Sequence, residues 1–108
     1  MLYDHRTYVC RPGTLKPHLE LYERYGWAPQ RRHLGEPVFY AITETGVVNS
    51  YVHVWAYADA ADRAAKRAAM LADADWQTYL QKSAEAGYLV SQVNQLMTPT
   101  GFFSALKS

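Results

Sequence analysis

Cysteine is almost absent. The 108-residue chain has one, Cys10, so no intrachain disulfide and no thiolate metal cluster can form within it. An excess of charge of either sign is also missing. Lysine and arginine number 11 against 10 for aspartate and glutamate, a balance that argues against a surface built to neutralise nucleic-acid phosphates or to bind an anionic membrane. Long hydrophobic runs are lacking too. The uncharged run TGVVNSYVHVWAYA is too short and too polar for a membrane span. The amino terminus, MLYDHRTYVC, carries Asp4, His5 and Arg6 and does not read as a secretory signal. A soluble, cytoplasmic protein is the expectation.

Several chemistries lack their motifs. The four histidines stand at 5, 18, 33 and 53, with no helical HxxxH pair, so no metal site is expected. There is no phosphate-cradling glycine loop, no dinucleotide fingerprint and no G-x-S-x-G nucleophile elbow. No cofactor is therefore expected. Haem is the one group that a single histidine in an aromatic pocket would suffice to ligate.

Tyrosine is what the chain has in quantity, nine residues. Each buries a large apolar body and asks for a hydroxyl partner, which points to a half-polar interior or an interface. The length suits a single domain, residues 1–108.

The pattern places β1 at Leu2–Cys10, ended by Arg11-Pro12-Gly13. A helix capped by Thr14 carries Leu15, Leu19, Tyr22 and Gly26 on one stripe. It resumes through Gln30–Leu34 and stops at Gly35. Strands at Glu36–Thr45 and Asn49–Tyr57 form a hairpin. A second helix opens at Asp59 or Asp62, with Ala61, Ala64, Ala65, Ala68 and Leu71 as its apolar, inward side. Its charged residues Arg63, Lys66 and Arg67 read as a solvated face. Asp73 caps a further segment bearing Trp76, Tyr79 and Leu80, closed by Gly87. The last strand is Tyr88–Met97, followed by Pro99, Gly101 and a short tail.

This order is β-α-β-β-α-β, the ferredoxin-like α+β arrangement. The crossover rule puts both helical regions on one face of a four-stranded antiparallel sheet. The strand through His53 is apolar on both sides. Val52, Val54 and Ala56 face one way, Tyr51, His53, Trp55 and Tyr57 the other. A strand of that kind is covered on both sides. Helices cover one, and the sheet of a second copy would cover the other, giving a homodimeric α+β barrel.

The run NSYVHVWAYADAADRAAKRAAMLADADWQTYL strongly resembles the NIPSNAP family. So do YDHRTYVCRPG, RRHLGEPVFYAITETGVVN and LVSQVNQLMTPTGFFS. The resemblance spans Tyr3 to Ser104 and is most specific at His53-x-Trp55-x-Tyr57 with Asp62-Arg63, Arg67 and Trp76. It implies the dimeric α+β barrel and little chemistry. Other proteins of that fold include cofactor-free oxygenases and haem enzymes, but the site decides function.

The residues give the candidate site. His53 and Trp55 share a strand face, and Arg6 shares one with Tyr8 and Asp4. With Tyr40 and Trp76 they would line a pocket between sheet and helices for a small, flat organic ligand. If the protein is an enzyme, His53 is the proton acceptor and Arg6 the anchor of a developing anion. The bland reading stands beside it: His53 as a satisfied core residue, Arg6 paired with Asp4. A non-enzymatic homodimeric interaction or scaffold module is the alternative, and haem binding a further one.

Overall fold

The computed structural model describes residues 1–107. The chain runs β1 (Leu2–Cys10), α1 (Leu15–Tyr25), α2 (Trp27–Leu34), β2 (Phe39–Ile42), β3 (Ser50–Tyr57), α3 (Ala60–Leu71), α4 (Ala74–Ala86), β4 (Leu89–Met97) and α5 (Gly101–Lys107). The four strands form one antiparallel sheet in the order β2-β3-β1-β4. This is the expected α+β arrangement, with each crossover helix divided in two and a further helix in the tail.

The residues dictate these boundaries. The Asp59 side chain accepts the Asp62 backbone N–H at 2.8 Å, while the Asp62 carboxylate accepts from Ala58 N–H at 2.9 Å. The reciprocal pair satisfies two donors that a helix start leaves orphaned. Asp73 caps α4 by accepting from Asp75 N–H. It also accepts from Arg32 at 2.6 Å and pairs with His33 at 2.7 Å. The basic end of α2 is thereby tied to the acidic start of α4. These bonds, led by His33, hold the Asp73 carboxyl down at about 2. Gly87 ends α4 in the left-handed conformation, which costs a glycine least.

β2 is shorter than expected, four residues instead of ten. It is an edge strand with Val38 and Ile42 half exposed, and single backbone bonds, Val38 N–H to Val54 at 2.8 Å and Thr43 N–H to Ser50 at 3.0 Å, are all that continue its pairing with β3 beyond the two ends. The larger correction concerns α3. Its alanine stripe does not face the sheet: Ala61, Ala64, Ala65 and Ala68 are exposed, and so is Leu71. The inward side is instead Arg63, Arg67 and Met70. The alanines serve helix propensity, and the sheet receives the arginines because a buried carboxylate, Asp4, awaits one of them.

The core is a cluster of Tyr22, Leu34, Trp55, Tyr57, Met70, Trp76 and Tyr79, one or two residues from each of α1, α2, β3, α3 and α4. Gly26, between α1 and α2, lets that cluster close. A Cβ there would lie 2.8 Å from Tyr22 Cδ1 and 3.0 Å from Tyr79 Cγ. Gly26→Ala should therefore lower stability by about 1–3 kcal/mol through overpacking. Urea unfolding checks this, and an unchanged midpoint would mean that the two helices have room to part.

Candidate functional site

Register builds the site before any side chain is considered. Tyr40 on β2 lies opposite His53 on β3, His53 opposite Arg6 on β1, and Arg6 opposite Asn94 on β4. The neighbouring rows place Trp55 opposite Asp4 and Tyr51 opposite Tyr8. Cross-strand partners share a face, and this face is the one under the helices, where Asp4, Tyr51, His53 and Trp55 are all buried. The sequence candidates Arg6, Tyr8, Tyr40, His53 and Trp55 thus stand on one side of the sheet, and Trp76 descends to it from α4.

Asp4 anchors the row. Its carboxylate is fully buried and accepts from Arg6 Nη1 at 3.0 Å, Arg63 Nε at 3.1 Å and Asn94 Nδ2 at 3.0 Å. Burial alone would raise its pKa. The Asn94 bond and the two guanidinium groups outweigh burial and hold the carboxyl below its usual range. Arg63 is not a solvated residue, as the helix pattern suggested, but a partner of β1. Arg6 also donates from Nε to the Tyr8 hydroxyl at 2.9 Å, so two of its three guanidinium nitrogens are engaged.

The His53 ring is fixed by its strand neighbour. Trp55 Nε1 donates to His53 Nδ1 at 2.7 Å. An indole nitrogen can only donate, so Nδ1 must present its lone pair. In the neutral ring the proton then sits on Nε2. That atom is buried and has no protein partner among the described residues. Desolvation, with the positive fields of Arg6 and Arg67, pushes the His53 pKa down to about 3. Asp4 opposes this and His18 adds to it. A ring with a committed lone pair and so low a pKa is a hydrogen-bond donor at neutral pH. The expectation of a proton acceptor at His53 gives way to that geometry.

Aromatic rings frame the histidine. Tyr40 stacks on it with centroids 4.8 Å apart, and Tyr8 meets it edge-on at 4.8 Å. Tyr40 is itself stacked on Tyr22 and Tyr51. Two of the buried hydroxyls find partners, Tyr22 donating to Gln30 and Tyr51 bonding the buried His18 at 2.7 Å, whereas the Tyr57 hydroxyl and His18 Nδ1 have none among the described residues. His18 and Gln30 were missed from sequence, although His18 lies one helical turn before Tyr22 on the same stripe.

Between this face and helices α3 and α4 lies a cavity of about 180 Å³. Arg6, Tyr8, Tyr40, His53 and Trp76 line it, together with Tyr51, Arg67, Tyr79 and Gln92. Trp55 does not reach it and acts from behind, through His53. Arg67, read from sequence as part of a solvated face, is half-buried, and among the described residues it has no carboxylate partner within ion-pair distance. A larger open groove of about 580 Å³ lies beyond Tyr40, walled by Leu19, Trp27 and Ile42. It is apolar, with Glu23 its one charged wall, and it offers no convergent donors. No group of three or more metal-ligating side chains stands together among the described residues.

The other face of the sheet is open and mostly apolar, with His5, Thr7 and Gln95 in its middle rows. Phe39, Val93 and Met97 are about half exposed, with Val52, Val54 and Ala56 between them only partly covered. Phe103 of α5 reaches one end of it, beside Tyr3, His5, Val38 and Val54. No helix among the described residues is long and apolar enough to cross a membrane.

The comparisons with known proteins agree with this architecture. A NIPSNAP family model matches residues 3–104. A NIPSNAP family protein of unknown function from Agrobacterium tumefaciens is 36% identical, with a TM-score of 0.86 over 94% of this chain and 90% of that one. An uncharacterized NIPSNAP-like domain protein from Burkholderia xenovorans is 37% identical, with a TM-score of 0.85 over 94% and 86%. A putative antibiotic biosynthesis monooxygenase from Nitrosomonas europaea shares the fold alone. It is 13% identical, with a TM-score of 0.65 over 92% and 98%. No curated protein matches the chain.

The histidine geometry makes a prediction about pH. His53 stays neutral in the folded chain, whereas the unfolded chain takes up its proton below about pH 6.5. The unfolded state then binds more protons, so stability falls with pH from about 6.5 towards 3. His53 alone should remove roughly 3 kcal/mol between pH 7 and pH 4. Urea unfolding across that range checks the slope, and the paired variant His53→Phe with Trp55→Phe should make it shallower, the remainder coming from His18, whose pKa burial also lowers. Proton-detected nitrogen NMR should find the Nε2–H tautomer at pH 5. A protonated Nδ1 would overturn the assignment.

Proposed function

The chain belongs to the NIPSNAP family, and from that premise we propose that it binds a small organic molecule between its sheet and its helices, as a homodimer. The observation that carries the reading is the buried, unpartnered Nε2–H of His53, a residue that lines a cavity between the sheet and the helices. A buried donor without an acceptor is costly, and a ligand oxygen in the cavity would satisfy it. Aromatic walls with a few convergent polar groups are what small-molecule sites have in common. Arg6, Tyr8, Tyr40 and Trp76 form the walls, and Trp55 orients the histidine.

If the site does chemistry, its donors suit stabilisation of a developing negative charge. They do not suit proton abstraction by His53. Haem fits poorly. An axial histidine needs a free lone pair at Nε2, and the Trp55 N–H places a proton there instead. The cavity of about 180 Å³ is also below the roughly 300–1,000 Å³ of drug-sized sites.

The dimer reading rests on the open sheet face. An apolar face of this breadth is unusual on a monomer. A second copy across a two-fold axis would cover Val52, Val54, Val93 and Met97 with the same residues. The residues of the single chain would then act as one domain within a barrel of two sheets. The interaction-module alternative shares this dimer but leaves the cavity without a ligand.

Native mass spectrometry of gently purified protein tests both parts. The expected result is a dimer carrying a discrete small mass. A dimer that stays empty, and takes up nothing from a panel of small organic compounds, would favour the interaction module. A monomer would remove the barrel. Val54→Glu, on the open face, should weaken the dimer at least tenfold while leaving the His53 tautomer intact.

A further inference from the structure

The walls of the cavity carry an imbalance of charge that the binding reading does not itself explain. Two arginines, Arg6 and Arg67, line it, and no aspartate or glutamate does. Behind the wall, Asp4 is the one carboxylate, and it is shared between Arg6 and Arg63. One negative charge therefore serves two cations before Arg67 is counted. Arg67 is half-buried on the inward side of α3, beside the Tyr57 hydroxyl. It has no carboxylate partner among the described residues. A cation held partly out of water beside a neutral hydroxyl gains when an anion joins it.

The polar groups with capacity left converge on the same demand. His53 offers Nε2–H, a donor with no acceptor. Arg67 offers a planar fork whose geometry matches a carboxylate. The rest of the lining is mostly rings and apolar side chains, from Tyr8, Tyr40 and Tyr51 to Met70, with Gln30, Ser83 and Gln92 as further neutral polar groups. Size adds a limit. A cavity of about 150 Å³ accepts benzene, so about 180 Å³ suits one ring and a small acidic substituent.

Resting on the small-molecule reading above, we infer that the ligand is a monocyclic, planar carboxylate, its anionic group held by Arg67 and by the Nε2–H of His53 and its ring between the tyrosines. Three aromatic walls favour a ring over an inorganic anion. Sequence could not expose this site, because Arg67 sits among alanines in what reads as the outer face of a helix.

The test uses the full chain and two probes of similar shape, benzoate and benzyl alcohol, in isothermal titration calorimetry at pH 7 and low salt. Benzoate should bind at least tenfold tighter than benzyl alcohol. In Arg67→Gln that preference should shrink to near unity while benzyl alcohol binds as before. Equal or tighter binding of benzyl alcohol by the unaltered chain would overturn the carboxylate inference and leave the small-molecule reading standing. A preference that survives in Arg67→Gln would remove Arg67 from the site and overturn the inference in that form. Failure of both probes to bind would count against the cavity as a site for ring compounds and overturn the inference with it.

Discussion

A single buried carboxylate organises the molecule. Asp4 lies in the middle of the sheet with no exposure, and such a group is tolerated only when its lone pairs are filled. Here the donors come from its own strand, from β4 and from α3. The demand for Arg63 fixes which side of α3 faces the sheet. Arg67, one turn further on, is carried inward by the same rotation. The charge that faces the cavity is thus a consequence of how the helix is anchored.

The tyrosine content has a similar physical reading. A face of this sheet built only of aliphatic residues would pack tightly against the helices and leave no polar chemistry. Rings with hydroxyls instead stack on one another and bond to Gln30 and His18. The interior is consequently half-polar and stiff, and a histidine can be held in one tautomer within it. Pre-set donors of that kind act on a ligand without reorganising.

Much of this was legible in the sequence, and the rest was hidden for identifiable reasons. β1 has the boundaries its residues announce, Leu2 to Cys10. The order of elements sufficed for the topology. Alternation put Arg6 with Tyr8 and His53 with Trp55, but only register could put the two pairs on one face. The role of His53 was half visible: an indole two residues away on the same face is a donor to a ring nitrogen. α3 misled because amphipathic patterning assumes that the apolar side is the inner side. Asp4 reverses that assumption, and a carboxylate 59 positions away leaves no mark in a helical period. The edge strand β2 was overestimated because β-propensity does not say where pairing with a neighbour stops, and Pro37, just before it, has no N–H to give to β3.

The measurement closest to the centre of this account is a double-mutant cycle between Asp4 and Arg63, using Asp4→Asn and Arg63→Gln, read by urea unfolding. If Asp4 turns α3 towards the sheet, the two substitutions should couple by about 1 kcal/mol or more. Additivity within roughly 0.5 kcal/mol would contradict it. The inward face of α3, and with it the placement of Arg67 over the cavity, would then need another cause.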